Sequence, residues 1–254
     1  MIRKFFFIFL LMPSLSFATK ADFKNLSKEN KNKYKYRTSF GTCPSRTAGS
    51  FAFQLMKIFE EEKSLRKLKE RITKEKLDSK HYVSSYKVNF DPLKNSLFLS
   101  FECPKPLMKV QLYKENGLES YEAILVDNGE LIDPTYEVLL RSEKKLKKTL
   151  PFLALPIQKM DKGVQISLTN LIKNMDPMIS RSISEVILSE EKNLTIILSL
   201  RSTPSSVFLG KDNWTEKVRK MERVVKYLDK KRKIPAIINL TNSKKVVVKF
   251  SDKF

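Results

Sequence analysis

Between Ile183 and Phe250 the hydrophobic period changes twice, and this constrains the fold more than any other feature of the chain. Leu194, Ile196, Leu198 and Leu200 recur at every second position, the spacing of one face of a strand. Ile183 to Leu188 reads as its partner across the polar turn Ser189-Glu-Glu-Lys-Asn193. Trp214, Val218, Met221, Val225 and Leu228 then recur at helical spacing, with Asp212 or Asn213 placed to cap the helix. Two short apolar runs follow, Pro235-Ala-Ile-Ile-Asn-Leu240 and Val246-Val-Val-Lys-Phe250. A chain that sets an amphipathic helix between strands is an α+β protein. If its last strand lies at the border of a sheet, that edge is open to another polypeptide.

The same change of period occurs upstream. Phe51, Leu55, Ile58 and Phe59 share a helix face, and Leu65, Leu68 and Ile72 share a second, more charged one. The spacing then becomes two, with Tyr82, Tyr86, Val88 and Phe90 on one side of a strand. Asp91-Pro-Leu-Lys-Asn95 forms a turn, and Leu97, Leu99, Phe101 and Cys103 return. With a first strand near Tyr36 to Gly41, residues 38–105 form a β-α-α-β-β domain. Residues 106–254 form a β-rich domain with a C-terminal amphipathic helix. Within it, Met108, Val110 and Leu112 alternate, Ala123-Ile-Leu-Val126 is a buried-type run, and Asp127-Asn-Gly129 is a hairpin turn. Leu150-Pro-Phe-Leu-Ala-Leu-Pro156 reads as a proline-bounded connector, and Val164 to Met175 as a helix.

The N-terminus sets the compartment. Arg3 and Lys4 precede Phe5-Phe-Phe-Ile-Phe-Leu-Leu-Met12, and Ser16 and Ala18 stand at the small-residue positions of a cleavage site. Residues 1–18 therefore read as a secretory signal, cleaved after Ala18. As a helix, Phe5 to Phe17 spans roughly 20 Å, short of the ~30 Å of a bilayer core. A retained anchor is the alternative. Residues 19–37, rich in Lys and Asn without an apolar period, read as a flexible tether. Cys43 and Cys103 either pair in this oxidising compartment or stay as two buried thiols.

The formal charge of +21 suits anionic membrane or cell-wall surfaces, although a solvated Lys-rich surface has the same composition. Lys and Arg are spread along the chain and the protein is exported, so nucleic acid is not an expected partner. Around the apolar stripe of the last helix, Lys217, Lys220, Arg223 and Lys226 are expected to extend onto the outer surface. No enzyme is expected. His81 is the single histidine, too few for a His-rich metal site and without a sequence-linked nucleophile. Glu60-Glu61-Glu62 and Glu190-Glu191 suit solvated faces, and the six glycines form no phosphate-binding loop. No cofactor is expected.

The order of these segments resembles the FtsQ/DivIB cell-division family, whose members carry a POTRA domain followed by a β domain. Val83-x-x-Tyr-Lys-Val88 and Leu97-Phe-Leu-Ser-Phe-Glu-Cys-Pro-Lys-Pro106 resemble its POTRA hairpin. Leu125-Val-Asp-Asn-Gly129, Leu150-Pro-Phe-Leu153, Ile183-Ser-Glu-Val186, Leu194-Thr-Ile-Ile-Leu198, Val207-Phe-Leu-Gly210, Glu216-Lys-Val218 and Pro235-Ala-Ile-Ile-Asn239 follow its later order. The short, cleavable-looking signal departs from the family's transmembrane helix, and Asn239 stands where the family often has Asp. The resemblance implies a non-enzymatic periplasmic scaffold of the division machinery with partners of FtsB/FtsL type, at the inner membrane of the division site. The partner strand would add beside Val246, Val247, Val248, Lys249 and Phe250, with Ile237 and Ile238 in the neighbouring strand. A POTRA-type periplasmic chaperone for exported or outer-membrane proteins is the alternative.

Overall fold

The structure, a computed structural model, describes residues 34–114, 120–159, 161–200, 203–234, 236–242 and 244–250. The secretory signal and most of the tether lie outside these residues, as does Pro235.

The first module runs β1 (Lys35–Ser39), α1 (Ser45–Glu62), α2 (Leu65–Glu75), α3 (Leu77–Lys80), β2 (Ser85–Asp91) and β3 (Ser96–Glu102). Its sheet has the order β1-β3-β2, with β1 parallel to β3 and β2 antiparallel to it. Strand β1 begins at Lys35, inside the stretch read as tether, and the Lys35 amide donates to Asn95 O at 2.6 Å. Tyr36 alone of its residues is half-buried, so β1 carries no alternation that a sequence reading could detect. Tyr82 lies outside β2, in a left-handed conformation at φ 60°. Its hydroxyl pairs with Thr135 Oγ1 at 3.1 Å. The sheet and helices enclose Phe51, Leu55, Leu68, Ile72, Leu97, Leu99 and Phe101. After β1 the chain turns at Gly41 (φ 49°), where a Cβ would stand 2.6 Å from Phe101 O, so any side chain is excluded. Two residues later Cys43 is joined to Cys103 in a disulfide, with their Cα atoms 4.8 Å apart.

The second module runs β4 (Pro106–Tyr113), β5 (Ser120–Val126), β6 (Leu131–Ile132), α4 (Thr135–Ser142), β7 (Phe152–Pro156), α5 (Lys162–Lys173), α6 (Pro177–Ser182), β8 (Ile183–Leu188), β9 (Leu194–Leu200), β10 (Thr203–Gly210), α7 (Trp214–Lys230), β11 (Ala236–Asn239) and β12 (Val247–Phe250). The strands form one mixed sheet of order β12-β11-β10-β9-β8-β7-β4-β5-β6. The segment read as a connector is therefore β7, in the middle of the sheet and parallel to both β4 and β8. Its prolines bracket the strand and do not interrupt it, which a sheet tolerates, and Leu153 and Leu155 point into the core. One face of the sheet, with Val186, Ile196, Leu198, Val207 and Ile238, is packed against Leu168, Ile179, Met221 and Val225 of the helices.

A shared buried cluster runs across the boundary expected at 105/106. Ile124 and Val126 of β5 and Tyr136 and Leu140 of α4 belong to the same buried cluster as Phe51 and Phe101. Tyr136 is fully buried and donates to Pro104 O at 2.7 Å. Burial, and then the charge of Asp127, push its phenol above the ordinary range.

Candidate functional site

The C-terminal border of the large sheet is reached through side-chain contacts of Asn239 and Asn242. Asn239 Oδ1 accepts from Thr241 N at 2.9 Å and Thr241 Oγ1 at 2.7 Å, and Asn242 Oδ1 accepts from Lys244 N at 2.8 Å. Such Asx contacts let a short polar segment reverse the chain. The chain then returns as β12, antiparallel to β11, pairing Ile237 with Lys249, Ile238 with Val248 and Asn239 with Val247.

The direction of each main-chain group follows from the ladder. β11 is parallel to β10, and Leu240 N donates to Phe208 O at 2.8 Å. Ala236, Ile238 and Leu240 thus turn their main-chain groups toward β10, and Ile237 and Asn239 turn theirs toward β12. The β11–β12 bonds are made by the pairs Ile237–Lys249 and Asn239–Val247. The N–H and C=O groups of Val248 and Phe250 point away from the sheet. Among the described residues no strand pairs with that side of β12.

The side chains divide between the two faces. Val247 (60% exposed), Lys249 and Ile237 (48% exposed) stand on the face not covered by helices, with Phe208 beside them. Val248 is half-buried against the core. Phe250 lies on the same side, with Lys233 Nζ 5.5 Å from its ring centroid. Val246 is exposed and precedes the strand. Ile238 is 1% exposed and points into the core, so its side chain is not available to a partner, contrary to the sequence expectation. The border is strongly cationic: Lys230, Lys231, Arg232 and Lys233 close α7, and Lys244, Lys245 and Lys249 flank β12, all exposed.

The cationic surface expected on α7 is largely occupied. Lys217 is 2% exposed and reaches Asp212 Oδ1 at 2.6 Å, so it is a buried residue and not part of an outer face. Asp212 is thereby committed, and Asn213 makes no side-chain cap. Lys220 pairs with Glu216 at 2.9 Å and Lys226 with Asp176 at 2.6 Å, and those bonds hold the Glu216 and Asp176 carboxyls below their ordinary values.

His81 stacks on Phe51 at 5.4 Å and lies 3.3 Å from Gln54 Oε1. Burial, and then Lys80, lower its pKa. Its contacts place no nucleophile beside it. Among the described residues no three His, Cys, Asp or Glu side chains are grouped to hold a metal ion. No described helix is long and apolar enough to cross a membrane.

A β-α-α-β-β sheet joined through a shared core to a large mixed sheet, with a cationic last strand at its border, defines an α+β protein of two fused modules. The sequence model described as "Cell division protein FtsQ/DivIB, C-terminal" matches residues 115–241, half of the chain. The chain belongs to the FtsQ/DivIB family, a family of non-enzymatic cell-division scaffolds. Among solved structures it is similar to the major extracytoplasmic domain, trans isomer, of the bacterial cell division protein DivIB from Geobacillus stearothermophilus. The identity is 13% and the TM-score 0.30, over 51% of this chain and 97% of that one. No curated protein matches the chain.

Proposed function

We propose that the protein is a periplasmic, non-enzymatic scaffold that links division proteins by accepting a strand from a partner of FtsB/FtsL type on the outer edge of β12. The observation that carries this reading is the outward direction of the Val248 and Phe250 main-chain groups, beside exposed Ile237 and Val247. Main-chain pairing supplies attachment, and alternate side chains supply selectivity. The unpaired edge is kept from self-association by Lys249 and by the flanking Lys244 and Lys245, all exposed.

Val248→Pro tests the proposal. It removes an outward N–H and leaves the bonds from Lys249 and Val247 to β11 in place. Capture of the partner in a periplasmic crosslinking pull-down is expected to fall by roughly two- to tenfold, with the protein still folded and only a small drop in unfolding temperature from the lost packing of Val248. Val247→Pro, which removes a bond within the sheet, is the destabilised control. Full capture by a folded Val248→Pro protein overturns the proposal.

A further inference from the structure

We propose that the groove between α5 and the start of α7 is a second binding site, for a carboxylate-bearing N-acetylated glycan of the cell-wall type. The ligand class rests on the periplasmic placement above, but the site does not use the β12 edge. The groove encloses about 500 Å³, the size of small-molecule sites in general. Its floor is apolar, formed by Leu171 and Val218. Asn170 on α5 and Asn174 at the C-cap of that helix, four residues apart, are exposed along one wall. Trp214 lines the other, half-buried, and its indole N–H donates to Gly210 O at 2.8 Å, which fixes the ring.

The pairing of the rim charges decides what the groove can recognise. Glu222 accepts from Asp176 N at 2.6 Å, Asp212 holds Lys217, and Lys211 pairs with Glu191 at 3.1 Å. Glu222 and Asp212 are thus engaged by groups of the fold, whereas Lys211 is held only in a solvent-exposed ion pair. Two carboxamides, one indole face and the Arg219 guanidinium stay free of hydrogen bonds to described residues. Each carboxamide both donates and accepts, as a pair of sugar hydroxyls or an acetamido group requires. An indole offers a flat apolar surface to a pyranose ring, and a guanidinium recognises a carboxylate with two parallel bonds. An apolar helix would leave the amides unpaired, and one guanidinium is a poor match for a polyphosphate.

Trp214 is the single tryptophan of the chain, so its fluorescence reports on the groove alone. The full-length protein is titrated with peptide-free oligosaccharides of alternating N-acetylglucosamine and N-acetylmuramic acid, and with chitotetraose, which lacks the carboxylate. We expect a saturable change with the acidic glycan and about tenfold weaker binding of chitotetraose. Arg219→Ala should cost about tenfold toward the acidic glycan only. The double variant Asn170→Ala with Asn174→Ala should not bind, at an unchanged unfolding temperature. Val248→Pro should bind glycan like the parent protein, so failure of the strand edge and failure of the groove are separable. A flat titration, equal binding by the variants, or the same response to a Glu-rich peptide overturns the proposal.

Discussion

Removing the Glu143 carboxylate should loosen the joint between the two modules, and the structure fixes the size and pH dependence of the effect. Helix α1 has Pro44 at its N-cap and no side-chain cap of its own, so its first N–H groups need another acceptor. Glu143, at the end of α4 and 98 residues away, accepts from Ser45 N at 2.7 and 2.8 Å and from Ser45 Oγ at 2.8 Å. Lys145 lies 3.1 Å from the same carboxylate and donates to Cys43 O. Loss of a cap costs about 1 kcal/mol, and loss of a negative charge beside a helix N-terminus adds about 0.3–1 kcal/mol. Glu143→Ala should therefore cost about 1–2 kcal/mol, a fall in Tm of roughly 3–6 °C for a chain of this size. Glu143→Gln, which keeps one acceptor oxygen without the charge, should fall between. Burial alone would raise the Glu143 pKa, but the bonds from Ser45 and Lys145 overcome it and hold the carboxyl below its ordinary 4.5. A lowered folded pKa means that the stabilisation is complete above the ordinary value and is lost as pH falls through the folded one. The Tm gap between the parent and Glu143→Gln should be widest at pH 7 and narrow as the pH falls below the ordinary carboxylate range. Thermal unfolding followed by circular dichroism at pH 7 and across a descending acid series measures it. Equal Tm values at pH 7, or a gap unchanged in acid, would refute the clamp.

The Cys43–Cys103 bridge spans a sequence separation of 60, which the chain-entropy treatment converts to about 4 kcal/mol. Urea unfolding with and without reductant should differ by about that much, and Cys43→Ser with Cys103→Ser should match the reduced protein. Lys217 contributes mainly through its buried stem. Lys217→Met should shift stability by less than about 1 kcal/mol, and Lys217→Ala should cost about 1–2 kcal/mol, by the same urea assay.

The strong periods were legible. The stripe from Trp214 to Leu228, the alternation of β9 and the hairpin of β2 and β3 all form where the spacing places them, because each buries one face of a regular element. What failed has physical causes. β1 buries too little to leave a pattern, and the prolines around β7 look like breakers although they stand at its ends. Helix α4 is missing from the sequence reading because it is short and its Tyr136 and Leu140 face the neighbouring module. That contact is set by tertiary packing. Lys217 was assigned to the surface by residue type, and only the position of Asp212 shows how its amine is satisfied. At the sheet border, sequence picks out the segment that forms the last strand but cannot give the register, and a one-residue shift reverses which side chains face out. Register is what separates exposed Ile237 from buried Ile238.

The geometry also limits how β12 could hold a partner. Val248 and Phe250 offer about four outward main-chain bonds, each worth a net ~0.5–1.5 kcal/mol, so roughly 2–6 kcal/mol in all. Association costs an estimated 4–15 kcal/mol in lost translational and rotational freedom. Backbone pairing at Val248 and Phe250 alone would therefore fix register without holding a complex. The deficit has to be met by burying apolar surface, and the border provides it on both faces. Val247, Ile237 and Phe208 lie exposed on the open side, and Phe250 on the helix side. The lysines around them favour approach of an acidic segment without adding much to the final affinity, because rim charges act chiefly on the rate of encounter. In the proposed arrangement the strand would set alignment, the apolar side chains strength and the cations speed. A partner must then supply alternating apolar residues as well as a free strand edge.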